Sequence, residues 1–343
     1  MATGDVAIAS VNGGASDAIL TFDTDATYAA AQNVATVINR AGFTGPTLHT
    51  LAVTSLPDAN PAAVPAGFTG EAVVPANAAD GYAIDTTNLT ALGYRFVVDA
   101  ATSTGSLTLG TNQTALINSG SGTTVTGATG GGNDIIVGGG GNVVVLNGAN
   151  SQVLLAQGPD TVDGGASTNS TIFGGTGDTT VFGSSGDGNT TFLSSWSNLV
   201  NGGTGSATII TGTGADTING GAGADTIFGN TGAKLGNGAS GNLTFLAGSN
   251  EAATVAGARG ALYIASSGNE TLGAAFFQGH VGTGNSDAIS NFGASDQVLL
   301  SGYGASGFIS VTGGGNTTLT LSDNTTITLV GVTNVASSQI VST

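Results

Sequence analysis

The chain has no cysteine, which removes disulfides and thiol chemistry from any account of its stability or activity. Positive charge is nearly absent as well. Arg40, Arg95, Lys234 and Arg259 are the four basic residues among 343, against 21 acidic ones, giving a formal net charge of −17. That balance repels phosphate backbones and anionic lipid surfaces, so no nucleic-acid partner is expected. No stretch of 18 uncharged apolar residues occurs, and Met1 to Asp5 lacks a positive start followed by an apolar run. Membrane insertion and a cleavable signal peptide are therefore not predicted.

Catalytic side chains are equally scarce. The two histidines, His49 and His280, lie far apart in sequence, and Glu71, Glu251 and Glu270 are the only glutamates. No Ser-His-Asp order, HExxH sequence or phosphate loop ending in Lys-Ser/Thr is present. Proton abstraction beside a carboxylate needs a base with cations around it, and the basic residues are scattered. Stacked aspartates leave a carboxylate pair for glycoside hydrolysis open, but nothing singles one out. The chain is expected to be no enzyme, with no catalytic residue and no organic cofactor.

What the chain does have is glycine, 60 residues of it, beside 40% hydrophobic residues. Short aliphatic runs between glycine turns bury a core where a charged low-complexity tail does not. The clearest order lies at 202–237, which divides into four nine-residue frames: GGTGSATII, TGTGADTIN, GGAGADTIF and GNTGAKLGN. In the first three, one isoleucine (Ile209, Ile218, Ile227) holds the same place after a glycine-rich half. Glycine allows the turn and the aliphatic side chain fills an interior.

These frames resemble the RTX nonapeptide, GGxGxDx(aliphatic)x, of bacterial proteins exported by type I secretion; Gly220 to Phe228 matches every fixed position. The resemblance implies a parallel β-roll in which two frames make one coil, so that residues eighteen apart stack. It also implies calcium between stacked loops, held by the sixth-position Asp and by loop carbonyls. The sixth positions here read Ala207, Asp216, Asp225 and Lys234. Stacking would then set Ala207 with Asp225 and Asp216 with Lys234, the latter as a direct ion pair. Asp134, Asp160, Asp216 and Asp225 are the candidate metal ligands, because calcium prefers carboxylate and carbonyl oxygens. For each, the competing reading is a carboxylate that accepts backbone N–H bonds at a turn.

The rest of the chain reads as follows. DVAIASV and DAILTF within 5–22 predict a β-hairpin, and the segment 26–41 predicts an amphipathic helix with Ala30, Val34, Val37, Ile38 and Ala41 on one face. Pro46, Pro57, Pro61, Pro65 and Pro75 predict an extended loop, a linker or an assembly arm. From about Gly120 apolar runs recur every nine or ten residues. Candidate inward positions are Ile136, Val145, Leu154, Val162, Ile172, Val181, Phe192, the three isoleucines, Phe245, Val255 and Ile264; Phe173, Phe182, Phe228 and Trp196 are assigned outward. In the C-terminal stretch, Leu319 and Leu321 against Ile327 and Leu329 flank Ser322-Asp323-Asn324 and predict a hairpin. This ending is similar to the C-terminal region of RTX-type secreted proteins, with Asn324 where glycine is usual, which implies an uncleaved secretion signal.

The expected fold is all-β dominated: a parallel β-solenoid or β-roll at 120–285, a small α+β N-terminal domain at 1–119 with a proline-rich segment, and a C-terminal β cap at 286–343. The expected protein is extracellular or on the cell surface and is passed by type I secretion machinery. It is structural, a homo-oligomer or polymer forming a filament, sheet or surface layer of biofilm-matrix type, with calcium at few sites. Two other readings stay open: a calcium-dependent adhesin or glycan-binding module meeting extracellular polysaccharide, and a polysaccharide lyase or epimerase.

Overall fold

The computed structural model describes residues 3–8, 18–23, 29–36, 48–53, 61–118, 122–156, 158–193, 197–212, 214, 216–219, 221–228, 234–237, 243–246, 254–255, 262–264, 271–275, 286–290, 292, 297–301, 308–312, 314–322, 324 and 326–342. It is mostly β and forms a parallel solenoid, as the repeats imply. Two compact units divide the chain, Met1–Gly186 and Asp187–Thr343.

In the first unit, strands from Thr69–Val74 onward alternate between two parallel ladders. One stacks Leu48–Ala52, Thr69–Val74, Tyr94–Asp99, Thr114–Ile117, Asp134–Val137, Gln152–Leu154 and Thr171–Phe173. The other stacks Tyr82–Asp85, Gly105–Thr108, Thr124–Thr126, Val143–Val145, Asp160–Asp163 and Thr179–Phe182. Parallel coils thus run through much of the segment read as a separate α+β domain. The change near residue 120 is in glycine content: earlier coils turn on other devices, such as the short helix Thr87–Ala91. Strands Leu48–Ala52 and Thr69–Val74 also fall inside the proline-rich stretch, while 61–68 between them is neither helix nor strand.

Each ladder buries one column of small aliphatic side chains. Val97, Ala115, Ile135, Val153 and Ile172 stack in register in the first, and Ile84, Leu107, Val125, Val144, Val162 and Val181 in the second. Full burial of one such Val or Ile is worth roughly 1.5–3 kcal/mol. Val162, Ile172 and Val181 point inward as expected. Ile136, Val145 and Leu154 do not: the inward residue is one place earlier, at Ile135, Val144 and Val153. Where three apolar residues follow one another the period-two signal vanishes, and a one-residue slip changes the face.

Ile136 is nonetheless buried, because the outward face of this ladder carries a second core. Val73, Val98, Leu116 and Ile136 form a row in register and pack with Leu48, Val6, Ala31 and Ala35. Val6 belongs to the antiparallel hairpin Thr3–Ile8 with Ala18–Asp23, which matches its sequence reading. Ala31 and Ala35 belong to a helix at 29–36, where i and i+4 share a face and alanine allows close approach. Val37, Ile38 and Ala41 of the expected helix lie outside the described residues. Beyond Ile136 the row continues to Leu154, half-buried, and Phe173, exposed.

The second unit repeats the plan. One ladder stacks Asn189–Phe192, Ala207–Ile210, Asp225–Phe228, Leu243–Leu246, Leu262–Ile264, Ser286–Ser290 and Thr326–Val330. The other runs Leu199–Asn201, Thr217–Asn219, Lys234–Asn237, Thr254–Val255, Thr271–Ala275, Gln297–Ser301 and Ile340–Ser342. Ile209, Ile218 and Ile227 are buried as predicted; Phe192 is only half-buried, and Thr191 takes its inward place. The side chains of Phe245, Val255 and Ile264, and all of Trp196, lie outside the described residues.

At the end, Thr317–Leu321 pairs antiparallel with Thr326–Val330, Leu319 facing Ile327, and Phe308–Thr312 adds a third antiparallel strand. Asn324 sits at φ 66° in the hairpin turn. Asparagine tolerates this left-handed region, which is why it stands in for the glycine usual there. The antiparallel meander ends the coil repeat in this ladder and forms the β cap.

Candidate metal centre

Six strands of the first unit are entered through a sharp corner, whereas Pro159 and Asp178 precede Asp160–Asp163 and Thr179–Phe182. The corner residue has positive φ and is Asn or Gly: Asn112 (58°), Gly132 (71°), Asn150 (57°) and Asn169 (52°) before one ladder, Gly122 (63°) and Gly141 (89°) before the other. The residue that follows is polar and buried, a column comprising Gln113, Asn133, Ser151 and Ser170 on one side and Thr123 and Asn142 on the other, with Asp160 stacked next. Main-chain ladder bonds begin one residue later still, as in Val143 N to Thr123 O at 3.1 Å. The N–H of the column residue therefore needs another acceptor.

That acceptor is the column side chain of the next coil. Thr123 N donates to Asn142 Oδ1 (2.9 Å) and Asn142 N to Asp160 Oδ1 (2.9 Å); Asn133 N donates to Ser151 Oγ and Ser151 N to Ser170 Oγ, each at 3.2 Å. The sequence separations are 18 or 19 residues, so the irregular spacing near Gly158-Pro159-Asp160 is absorbed without losing the column. In the second unit Asn198 N donates to Asp216 Oδ1 (3.0 Å) and Ala207 N to Asp225 Oδ1 (2.9 Å). The stacking of Ala207 with Asp225 is as expected. That of Asp216 with Lys234 is not, because Lys234 pairs with Thr217, one place on.

The four candidate aspartates divide by what is left over. Asp225 has both oxygens engaged, since Gly221 N donates to its Oδ2 at 3.2 Å. Asp134 begins its strand with an exposed side chain and is not part of the column; Asn133 is. Asp160 and Asp216 are buried; the Oδ2 of Asp160 meets no donor, and that of Asp216 makes no close hydrogen bond, although the Gly212 N–H helps to hold the Asp216 charge. In both, Oδ1 takes two bonds from the asparagine 18 residues earlier: Asn142 N at 2.9 Å and Nδ2 at 3.4 Å for Asp160, Asn198 N at 3.0 Å and Nδ2 at 2.8 Å for Asp216.

Burial pushes the Asp160 carboxyl up to about 7 despite the Asn142 bonds. It also raises Asp216 and Asp225, against the opposing pull of their own N–H donors. A carboxylate oxygen buried without a donor is costly, and a proton or a hard cation relieves it. Asp160 and Asp216 thus fit a cation through Oδ2. Calcium takes six to eight oxygens, yet among the described residues no three His, Cys, Asp or Glu side chains gather. The remainder of such a sphere falls to backbone carbonyls and amide oxygens. Glycine supplies the approach: a Cβ on Gly140 would meet Gly158 Cα at 2.5 Å, and one on Gly223 would meet Gly205 O at 2.2 Å.

Sequence reasoning missed Asn142 and Asn198, which set the carboxylates. The signal was the separation of 18 residues, searched for a second Asp but not for Asn. A buried cluster in early coils was missed too. Tyr82 Oη and Thr123 Oγ1 donate to Asp99 Oδ2 (2.6 and 3.0 Å) and Ala101 N donates to Oδ1 (3.1 Å), a closed set. His49 lies 5.7 Å from the Tyr94 ring, centroid to centroid.

The family model of the RTX calcium-binding nonapeptide repeat, four copies, matches residues 128–145 and 201–233. Asn142, Asp216 and Asp225 fall within these matches, and Asp160 follows the first. No curated protein matches the chain.

Proposed function

Because the chain carries RTX calcium-binding nonapeptide repeats on a β-solenoid, we propose that it is a secreted structural protein whose copies assemble outside the cell into a filament, sheet or surface layer. The carrying observation is the exposure of Phe173 (39%), Phe182 (45%) and Phe228 (41%) on outward ladder positions of a chain with only 7% charged residues. Exposed rings in regular rungs are contact groups, and few charges keep copies apart. The secretion-like C-terminal stretch supports type I export. No helix among the described residues is long and apolar enough to cross a membrane.

Asp160 and Asp216 would hold calcium through Oδ2, with Asn142 and Asn198 fixing each carboxylate from the preceding coil. Calcium there neutralises buried charge; with few such sites, it acts on assembly more than on folding. Negative-stain microscopy of the purified chain, with calcium and with chelator, tests the reading. Ordered assemblies with calcium and folded monomers in chelator are expected; monomers in both, at every concentration, defeat it. The same exposed rings favour one second reading, a glycan-binding module, for which saturable binding of a polysaccharide by a monomer is the deciding result.

A further inference from the structure

Four corners of the first unit lead into the same ladder, and their left-handed residues differ in what they carry. Gly132 meets the backbone requirement with no side chain, whereas Asn112, Asn150 and Asn169 meet it at φ 58°, 57° and 52° with a carboxamide each. These three residues are exposed, and their side chains make no hydrogen bond among the described residues. The Asn112 carboxamide lies over Gly132, where a Cβ would come within 2.1 Å of its Oδ1. Two of the three asparagines open the triplet Asn-x-Thr, as Asn112-Gln113-Thr114 and Asn169-Ser170-Thr171. The middle residue of each is the buried column residue, and the threonine is half-buried as the first residue of its strand. Asn150-Ser151-Gln152 is the same corner without the threonine.

We propose that Asn112 and Asn169 are acceptor sites for N-linked sugar. The Asn-x-Thr triplet is what N-glycosyl transfer reads, and the acceptor has to stand on the surface. The fold itself does not need these amides, because Gly132 turns an equivalent corner without one. In the transfer, Asn Nδ2 bonds the anomeric carbon of an activated sugar, and the bond from that carbon to the donor's diphosphate breaks. The diphosphate leaves with the electron pair and one amide proton passes to solvent. Asn189-Thr190-Thr191 has the same triplet, but Asn189 is buried (9% exposed), which keeps its amide from a transferase acting on the folded chain. Asn112 and Asn169 stand three rungs apart, about 14 Å, so each has room for its own sugar. Sugar adds hydration without charge, in a chain with only 7% charged residues.

The test uses the full chain, purified from the cells that naturally make it and mapped by peptide mass spectrometry. Peptides holding Asn112 and Asn169 should carry the mass of one or more sugar residues, and those holding Asn150 and Asn189 should be bare. Thr171→Val keeps a β-branched residue in the strand and should remove the sugar from Asn169 alone, with an unchanged circular dichroism spectrum; Asn169→Gly, which suits the same corner, should do likewise. Gln152→Thr completes the triplet at the third corner and should add sugar at Asn150. The triplet also begins at the exposed Asn88, Asn316 and Asn324. Bare Asn112 and Asn169 overturn the proposal, whether or not those three carry sugar. Sugar that persists at Asn169 in Thr171→Val overturns it as well. Sugar already present on chain held inside the cell assigns a nucleoside diphosphate donor, and sugar found only on chain outside assigns a lipid-linked one.

Discussion

The row Val73, Val98, Leu116 and Ile136 and the row Phe192, Ile210 and Phe228 occupy equivalent outward positions, yet the first is buried throughout while the second is half-buried at Phe192 and Ile210 and exposed at Phe228. The difference lies in extra chain: a hairpin and a helix near the N-terminus supply Val6, Ala31 and Ala35 to the first row. A solenoid coil closes its own interior but has nothing left to cover its outside. The same contrast runs down the corner column. Asp225 has both oxygens bonded, whereas Asp160 keeps one that meets no donor and Asp216 one without a close hydrogen bond. Asp160 is the member of the column that suits a cation.

The largest effect should come from placing one charge in each row. Leu116→Asp buries a carboxylate under the hairpin and helix and should cost roughly 3–5 kcal/mol, enough to lower or abolish the cooperative melt. Phe228→Asp should leave the melting temperature nearly unchanged, within about 0.5 kcal/mol, since its side chain stays solvated. Equal melts would mean that the rows do not differ as described.

The corner comparison sharpens with a second carboxylate. Asn142→Asp sets one about 4.8 Å from Asp160, so thermal stability should fall in chelator and return on adding calcium. Insensitivity to calcium would remove Asp160 as a ligand. A smaller effect follows from pH alone. Burial pushes the folded Asp160 carboxyl up to about 7, against 3.8 for an ordinary aspartate. The native state therefore holds this proton more tightly, and its contribution is complete below about pH 4 and is lost as pH rises through 7. Melting curves at pH 4 to 8 should fall along that window, and Asp160→Asn should flatten the fall. Asn142→Ala is the mildest change: it strips one acceptor from Thr123 N and one donor from Asp160, for about 1–2 kcal/mol.

Much of the interior was legible where the nine-residue frames are clear, because the frame itself fixes the inward place on the isoleucine that follows a threonine. Ile209, Ile218 and Ile227 are of that kind. Runs such as Ile135-Ile136-Val137 and Val143-Val144-Val145 gave no such choice. The polar column resolves them, since Asn133 and Asn142 stand two residues before the inward Ile135 and Val144. Asparagine was not sought at the sixth position, which displaced the assignment by one. Half of the candidate site was therefore visible as aspartates, and the other half, Asn142 and Asn198, was hidden by looking only for charge.

By itself the sequence determined the coil: glycine and asparagine at left-handed corners, one aliphatic residue per turn, and a polar side chain spaced to meet the preceding coil about 18 residues away. These are local or periodic properties, written wherever the chain repeats. Only the tertiary structure decided that Ala31 and Ala35 cover Val98 and Leu116, and that Asp160 keeps an unbonded oxygen while Asp225 does not. Covering depends on where segments distant in sequence come to rest on a finished sheet. Whether an oxygen finds a donor depends on which backbone groups the adjoining turns have already spent, and no repeat pattern records either.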